Sequence, residues 1–290
     1  MSGGARVVAR AGRGEAGFGL LVNQPGEQVL AVSEDDGNGE DPGTSASRPI
    51  WCLAHSVIRP AGRSTAGPGI AIVLRVGFRG WAADAIDFYD GLEEDNSKAY
   101  WQAHKATYDR SVRGPMEELL AELAGQFGPG RIFRPNRDVR FSADKSPYKT
   151  AIAATLDNGG YIQLSAAGLA AGRGMYMMAA DQLQRYRQAV DAEPAGSAVA
   201  QIVAAARDAG IEVTSHDRLK TAPRGYPTDH PRIGLLRLKG LVTWRQWPAA
   251  AWLATPEAKS RLVEFLVQAE PIQDWLNAHV GPSQLAATRR

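Results

Sequence analysis

The sequence predicts an α+β fold in which helices pack around one antiparallel sheet. Two observations lead to this prediction. Apolar residues recur at helical spacing over residues 84–127 and again after residue 180. Between these regions, short apolar segments alternate with glycine-rich turns. Such spacing is typical of an antiparallel meander, so we expect no parallel strands joined by crossover helices.

The first 75 residues differ in composition from the rest of the chain. They contain 13 of the 31 glycines, two aromatic residues (Phe18 and Trp51) and no lysine. This composition offers too little apolar surface to offset the entropy lost on ordering a chain. We therefore predict a disordered extension over residues 1–75 and a single α+β domain over residues 76–290. We favour a start codon placed too far upstream, with translation beginning near Val76; a natural disordered extension is the alternative.

Three helices are predicted before the sheet. The first spans residues 84–92, and Asp95-Asn96-Ser97 ends it and offers N-caps for the second. The second helix ends at Gly114-Pro115, and the third begins there because proline is tolerated in the first turn of a helix. Gly128-Pro129-Gly130 stops the third helix.

The remaining elements follow from changes in the apolar period. Strands are predicted at residues 132–133, 139–141, 149–156, 161–165, 175–178, 211–213 and 235–244. Helices are predicted at residues 181–190 and 197–209, and two closing helices begin at Pro256 and Pro271. The sequence has no secretory signal and no apolar run near the roughly 20 residues that span a bilayer. We therefore expect a soluble, cytoplasmic protein without a membrane partner.

The most densely charged stretch of the chain lies at residues 134–149. Its candidate ligand-binding side chains are Arg134, Arg137, Arg140, Asp144, Lys145, Tyr148 and Lys149. If residues 138–142 are extended, Asp138, Arg140 and Ser142 share one face and Phe141 is buried on the other. An excess of cations suits a phosphate or carboxylate, because arginine offers a planar fork of donors. The alternative is a lattice of ion pairs that braces the fold.

The same stretch carries a resemblance to a known family. The pattern Arg-x-x-Arg-Asp-x-Arg-Phe, followed by Asp-Lys-x-Pro-Tyr-Lys, resembles the signature of the bacterial domain-of-unknown-function family 2461. The resemblance extends over residues 78–281, and members of that family usually begin where Val76 stands. Asn96-Ser97 departs from the two asparagines that members often carry before the second helix. The resemblance implies the extent of the folded domain but no established activity.

A second candidate region is the loop at residues 221–231. Its three prolines restrict the backbone, so a rigid loop is predicted. It presents the candidate ligand-binding residues Arg224, Tyr226 and Asp229 together with His230. We hypothesise that this loop and the charged stretch enclose one pocket, in which Asp138 or His230 would transfer protons. The alternative is a packed connector in which His230 is structural.

Several known chemistries find no support in the sequence. It has no His-Glu-x-x-His, Cys-x-x-Cys or calcium-loop pattern, so no metal site is predicted. It also lacks a phosphate-binding loop, a dinucleotide fingerprint and a Gly-x-Ser-x-Gly elbow, and no cofactor is assigned.

Three functions remain as hypotheses. The first is an enzyme or binding protein whose pocket holds an anionic small molecule. The second is a nucleic-acid-contacting module using the same cations, although residues 76–290 carry only 26 basic against 24 acidic side chains. The third is a structural or interaction protein in which the charges brace the fold.

Overall fold

The described part of the computed structural model comprises residues 77–140 and 142–285. Within it, helices pack on a six-stranded antiparallel sheet, which confirms the predicted α+β class. The predicted extension over residues 1–75, the suggested start at Val76 and the predicted burial of Phe141 lie outside the described residues. No helix in the described ranges is both long enough and apolar enough to cross a membrane.

The described residues begin with three helices; the first packs back against the second, and a π-helical segment joins the second directly to the third. They are α1 (Ala83–Glu94), α2 (Lys98–Thr107), a π-helical segment (Tyr108–Arg113) and α3 (Gly114–Phe127). The predicted break at Gly114-Pro115 is wrong, because the π-helical segment carries the chain directly from α2 into α3. Pro115 lies in the first turn of α3, where proline is tolerated.

The sheet is a meander with one rearranged edge. Its strands are β1 (Gly130–Ile132), β2 (Ala151–Leu156), β3 (Gly160–Ser165), β4 (Gly168–Met175), β5 (Glu212–Thr214) and β6 (Leu241–Trp247). The strand order is β1-β2-β3-β4-β6-β5, and all neighbours are antiparallel. The two edge strands are therefore β1 and β5.

Two strand predictions are wrong. The strand predicted at residues 175–178 lies earlier, as β4 over residues 168–175, and includes the glycines for which the sequence predicts a turn. Gly172 of β4 lies so close to the Trp244 ring that a Cβ would be 3.1 Å from it. Residues 139–140 form no strand, because Asp138 and Arg140 turn onto each other instead of alternating along an extended chain.

The later helices pack on the sheet from one side. They are α4 (Ala180–Asp191), α5 (Ala195–Asp208), α6 (Ile233–Leu236), a 3₁₀-helix (Ala251–Ala254), α7 (Glu257–Gln268) and α8 (Glu270–His279). The strand predicted at residues 235–244 begins only at residue 241, since α6 takes up its first residues.

The two faces of the sheet have different environments. In β2 and β3 every second residue is buried, including Ile152, Ile162 and Leu164, and the residues between are only half-buried. Helix α3 packs on β1, while α7 and α8 pack on β4. The face that packs against the helices and contributes to the core is called the helical face. The opposite face is half-exposed and is called the open face.

Candidate functional site

The charged stretch forms the tip of a hairpin that extends β1 and β2 beyond the sheet. The Arg137 backbone N–H donates to the Pro147 carbonyl at 2.9 Å, and the Lys149 N–H donates to the Pro135 carbonyl at 2.8 Å. Asn136 and Tyr148 form a single antiparallel bridge between these two bonds. The predicted pairing of the two arms of the stretch is therefore present, but as a short ladder with a turn at its end.

Tyr148 fixes this hairpin to the helices. Its backbone N–H and carbonyl both bond to the Asn96 carboxamide, each at 3.0 Å. Its ring stacks on Trp101 of α2, with centroids 4.3 Å apart and planes inclined by 8°. Ser97, rather than Asn96, caps α2 by accepting a hydrogen bond from the Tyr100 N–H. Because Ser97 caps α2, the Asn96 side chain is able to bind the backbone of the hairpin.

A cleft of about 230 Å³ opens where the hairpin meets the end of α1. Its walls are formed by Glu93, Asn96, Arg137, Asp144, Ser146, Tyr148 and Thr150. Three of these, Arg137, Asp144 and Tyr148, are residues that the sequence indicates as ligand-binding. The other four were missed, because nothing in the local pattern shows that residues 93–96 and 144–150 would meet.

Arg137 and Asp144 form an ion pair in the cleft, so their charges cancel, and Glu93 adds a second carboxyl group to the lining. Asp144 also accepts hydrogen bonds from the backbone N–H of Ser146 at 2.9 Å and from its hydroxyl at 2.6 Å. The Arg137 bond first, and then those from Ser146, hold the pKa of the Asp144 carboxyl well below its usual range. Burial, with a smaller effect of Asp90, raises the pKa of Glu93. The cleft therefore pairs a firmly ionised carboxylate with one that takes up a proton more readily.

Asp138 and Arg140 form a second ion pair, at the exposed tip of the hairpin. Arg140 donates from Nε at 2.9 Å and from Nη2 at 2.6 Å, so the pair is bidentate. The bonds from Arg140, aided by the charge of Arg134, lower the pKa of Asp138 to about 2. A carboxylate with so low a pKa is a poor proton acceptor near neutral pH, which weakens its candidacy as a catalytic base.

The two lysines of the stretch lie away from the cleft. Lys145 Nζ donates to the Val139 carbonyl at 2.9 Å and closes the tip of the hairpin. Lys149 points to the side opposite Tyr148, because neighbouring residues of an extended arm alternate. Its Nζ lies 5.5 Å from the centroid of the Phe133 ring.

The loop at residues 221–231 is not brought to the charged stretch. It lies between β5 and β6 and leaves the sheet from the end opposite to the hairpin tip. Because β1 and β5 are opposite edges, five strand spacings of about 4.8 Å, or roughly 24 Å in all, also separate them laterally. The hypothesis of one pocket between the two regions is therefore wrong. Arg224 and Asp229 are exposed, and Tyr226 packs at the margin of the core.

His230 has a defined structural setting in that loop. Its Nδ1 accepts from the backbone N–H of Arg232 at 3.0 Å, and its Nε2 donates to Asp191 at 3.1 Å. Arg232 binds the last carbonyls of α4, with Nε 2.7 Å from Val190 O and Nη2 2.9 Å from Asp191 O. The loop thus caps α4, which favours the interpretation of His230 as part of a packed connector.

Arg173 is a buried charge that the sequence analysis missed. It lies on β4 with 2% of its side chain exposed. Its Nη1 donates to the Leu266 carbonyl at 2.5 Å, and Nη2 is 3.5 Å from Glu270. Its guanidinium also lies over the Phe127 ring, 5.8 Å from the centroid. The sequence signal for this buried charge is an arginine between two glycines, Gly172 and Gly174. These glycines are also typical of a turn, so the sequence does not indicate that Arg173 lies in a strand.

Within the described ranges, no three His, Cys, Asp or Glu side chains are grouped in a way that would hold a metal ion. What the cleft offers is hydrogen bonding and charge. Arg137 and the hydroxyl of Thr150 suit a small polar or anionic group, since the Ser146 hydroxyl already donates to Asp144, and Glu93 suits the uptake or release of a proton.

Comparison with known proteins gives one match. The family model described as a conserved hypothetical protein (DUF2461) matches residues 84–275, about two thirds of the chain, including the hairpin and the cleft. Neither the curated proteins nor the solved structures contain a match. The chain therefore belongs to the conserved hypothetical protein family DUF2461.

Proposed function

We propose that the cleft at the base of the hairpin binds a small molecule through an anionic group, either a phosphate or a carboxylate. The observation that carries this proposal is the meeting of Arg137, Asp144 and Tyr148 in one concave site with the hydroxyl of Thr150. Arg137 is held in place, with 18% of its side chain exposed. A positioned guanidinium binds an anion more effectively than a mobile one, because less side-chain entropy is lost.

The size of the cleft limits the ligand. At about 230 Å³ it is smaller than the roughly 300–1,000 Å³ of sites that hold drug-sized molecules. The bound part is therefore a single phosphate or carboxylate group, with the rest of the molecule in solvent. Nη1 of Arg137 already donates to Asp144. The incoming anion would therefore bind the remaining N–H groups of the guanidinium and leave the ion pair with Asp144 intact.

The cleft also suggests which residue would transfer a proton if the bound molecule is transformed. Glu93 lines the cleft and has a raised pKa, whereas Asp138 is ionised at the hairpin tip and His230 lies at the far corner of the sheet. Within this proposal, Glu93 takes the acid–base role for which the sequence alone suggests Asp138 or His230.

Thermal-shift and calorimetric titrations with inorganic phosphate, acetate, sugar phosphates and nucleoside monophosphates test the proposal. We expect at least one of these anions to stabilise the wild-type protein and to lose most of its affinity in Arg137→Gln and Thr150→Val. Arg110→Gln is the matched control, since Arg110 is an exposed arginine with an acidic partner, Asp84, at 3.5 Å. Thr150→Val keeps the ion pair and the side-chain shape, so it separates lost binding from lost stability.

The alternative is that the charges only brace the fold. Two ion pairs and the bond from Lys145 to the Val139 carbonyl favour this alternative. In these contacts three of the basic side chains of the stretch already bind groups of the protein itself. If no anion shifts the melting temperature and Arg137→Gln merely melts earlier than wild type, the bracing role is correct and the binding proposal is overturned.

A further inference from the structure

The open face of the sheet carries a row of aromatic rings that the cleft does not use. Phe133, Tyr161 and Trp244 follow one another across the strands, with centroids 6.4 Å and 6.0 Å apart. Phe133 lies just beyond β1, opposite Ala153; Tyr161 is on β3, and Trp244 is on β6. The spacing is that of aromatic pairs in contact.

The strand register places these rings on the same face. Tyr161 pairs with Thr155 and Gly172, and Gly172 pairs with Trp244. Directly paired residues of antiparallel strands point to the same side. Phe133 and Tyr161 are half-buried, whereas Trp244 is 6% exposed and lies against Gly172. Phe133 and Tyr161 are therefore the rings that present a surface, and Trp244 supports them.

Positive charge accompanies the exposed end of this row. Lys149 Nζ lies over the Phe133 ring, 5.5 Å from its centroid, so it turns aside when a base stacks on that face. Arg131 is exposed and pairs with Thr155, so it shares the face with Tyr161. The hairpin tip carries two more basic residues, Arg134 and Lys145, besides the ion pairs of Arg137 with Asp144 and of Arg140 with Asp138. The same face also carries polar groups: Gln163 Oε1 accepts a hydrogen bond from the Tyr161 hydroxyl at 2.8 Å.

We propose that the open face binds single-stranded nucleic acid. Bases stack on Phe133 and Tyr161, and Lys149 and Arg131 contact the phosphates on either side. Aromatic rings on a sheet with adjacent cations are a sequence-tolerant way to hold unpaired bases, because every base has a π-face. A neutral sugar chain would also stack on these rings, but it has no negative charge for the lysine and the arginine to attract. This site lies on the other side of the hairpin from the cleft and does not depend on it.

Fluorescence anisotropy with labelled 12-nucleotide single strands of DNA and RNA, and with a duplex of the same length, tests the proposal on the full chain. We expect binding of a single strand in preference to the duplex, with an affinity that falls steeply as salt rises. Phe133→Leu, which keeps apolar bulk but removes the π-face, should weaken binding about tenfold or more. Lys149→Gln should weaken binding and make its salt dependence less steep.

Two controls separate this proposal from the previous one. Lys259→Gln removes a lysine paired with Glu122 in the helical layer and should leave oligonucleotide affinity unchanged. Arg137→Gln should abolish anion binding in the cleft while the oligonucleotide is still bound. The proposal is overturned if no strand binds at low salt, if Phe133→Leu and Tyr161→Leu bind as wild type does, or if neutral oligosaccharides bind and oligonucleotides do not.

Discussion

The side chain of Asn96 pairs with the backbone of Tyr148 as a neighbouring strand would. Its Nδ2 donates to the Tyr148 carbonyl and its Oδ1 accepts from the Tyr148 N–H, both at 3.0 Å. One carboxamide thereby joins the α1–α2 connection to the hairpin that carries the charged stretch. Since Tyr148 is 8% exposed, water has little access to replace these bonds.

Asn96→Ala should therefore destabilise the protein by about 1–3 kcal/mol, because it leaves two shielded backbone groups without partners. Chemical denaturation monitored by circular dichroism measures this loss. Asn96→Asp keeps the acceptor but not the donor, so its stability should fall between wild type and alanine. An alanine variant as stable as wild type would show that the hairpin is held by other contacts.

The stack of Tyr148 on Trp101 gives a second prediction. Tyr148→Phe keeps the ring and should retain nearly all the stability, whereas Tyr148→Leu should cost roughly 0.5–1.5 kcal/mol for the lost ring pairing, apart from any change in buried area. The near-ultraviolet circular dichroism of Trp101 should change with leucine and not with phenylalanine. Equal stabilities for the two variants would contradict a specific role for the stack.

Arg173 should be replaceable by an apolar residue of similar length. A buried charge is costly to desolvate, and apolar substitutes are often neutral or stabilising. We expect the stability of Arg173→Met to lie within about 1 kcal/mol of wild type. Arg173→Ala should lose about 2–5 kcal/mol through the cavity that it leaves. Urea unfolding of both variants measures the contrast. If methionine costs as much as alanine, the bond to the Leu266 carbonyl, not the packing, supplies the stability.

The C-terminal segment should respond to acid through Asp181. Its carboxylate accepts from the Gln284 N–H at 2.7 Å and the Ser283 hydroxyl at 2.8 Å, and Arg185 is 3.0 Å away. The bond from Gln284 first, and then those from Ser283 and Arg185, lower the pKa of Asp181. A carboxyl whose pKa is lower in the folded state stabilises the fold above its unfolded pKa, and this stability is lost as the pH falls toward the folded pKa.

Asp181→Asn should therefore melt at a lower temperature than wild type at pH 7. The difference should shrink as the pH falls below about 4, the ordinary pKa of an aspartate. Melting curves between pH 7 and pH 2 measure it, and Asp157→Asn, at an exposed turn, is the control. A gap between Asp181→Asn and wild type that stays constant with pH would show that the carboxylate charge is not involved.

The sequence is sufficient for the elements whose residues repeat at a regular period. The helix at residues 84–92 and the strand at residues 161–165 are found where the periodicity predicts them, because burial of one face selects these positions. The strand at Gly172 was not predicted. A glycine that makes room for the Trp244 ring cannot be distinguished, from the neighbouring sequence, from a glycine in a turn.

The candidate site was harder to predict, because its parts come from distant positions. Arg137, Asp144 and Tyr148 stand out by their charge and spacing, but Glu93 reaches them only through the docking of the hairpin on the end of α1. His230 was assigned to the same pocket because strand order is not visible in the sequence. With β6 inserted between β4 and β5, the loop that carries His230 leaves from the opposite corner.

The shortness of β1 and β5 has a consequence for how the sheet meets other chains. Each edge strand has three residues, so each offers few unpaired backbone groups to an incoming strand. The hairpin continues one edge with closely spaced charges, and the proline-rich loop continues the other. Charged side chains and prolines at short edges oppose strand-to-strand association, which protects a sheet with a half-exposed aromatic face from aggregation.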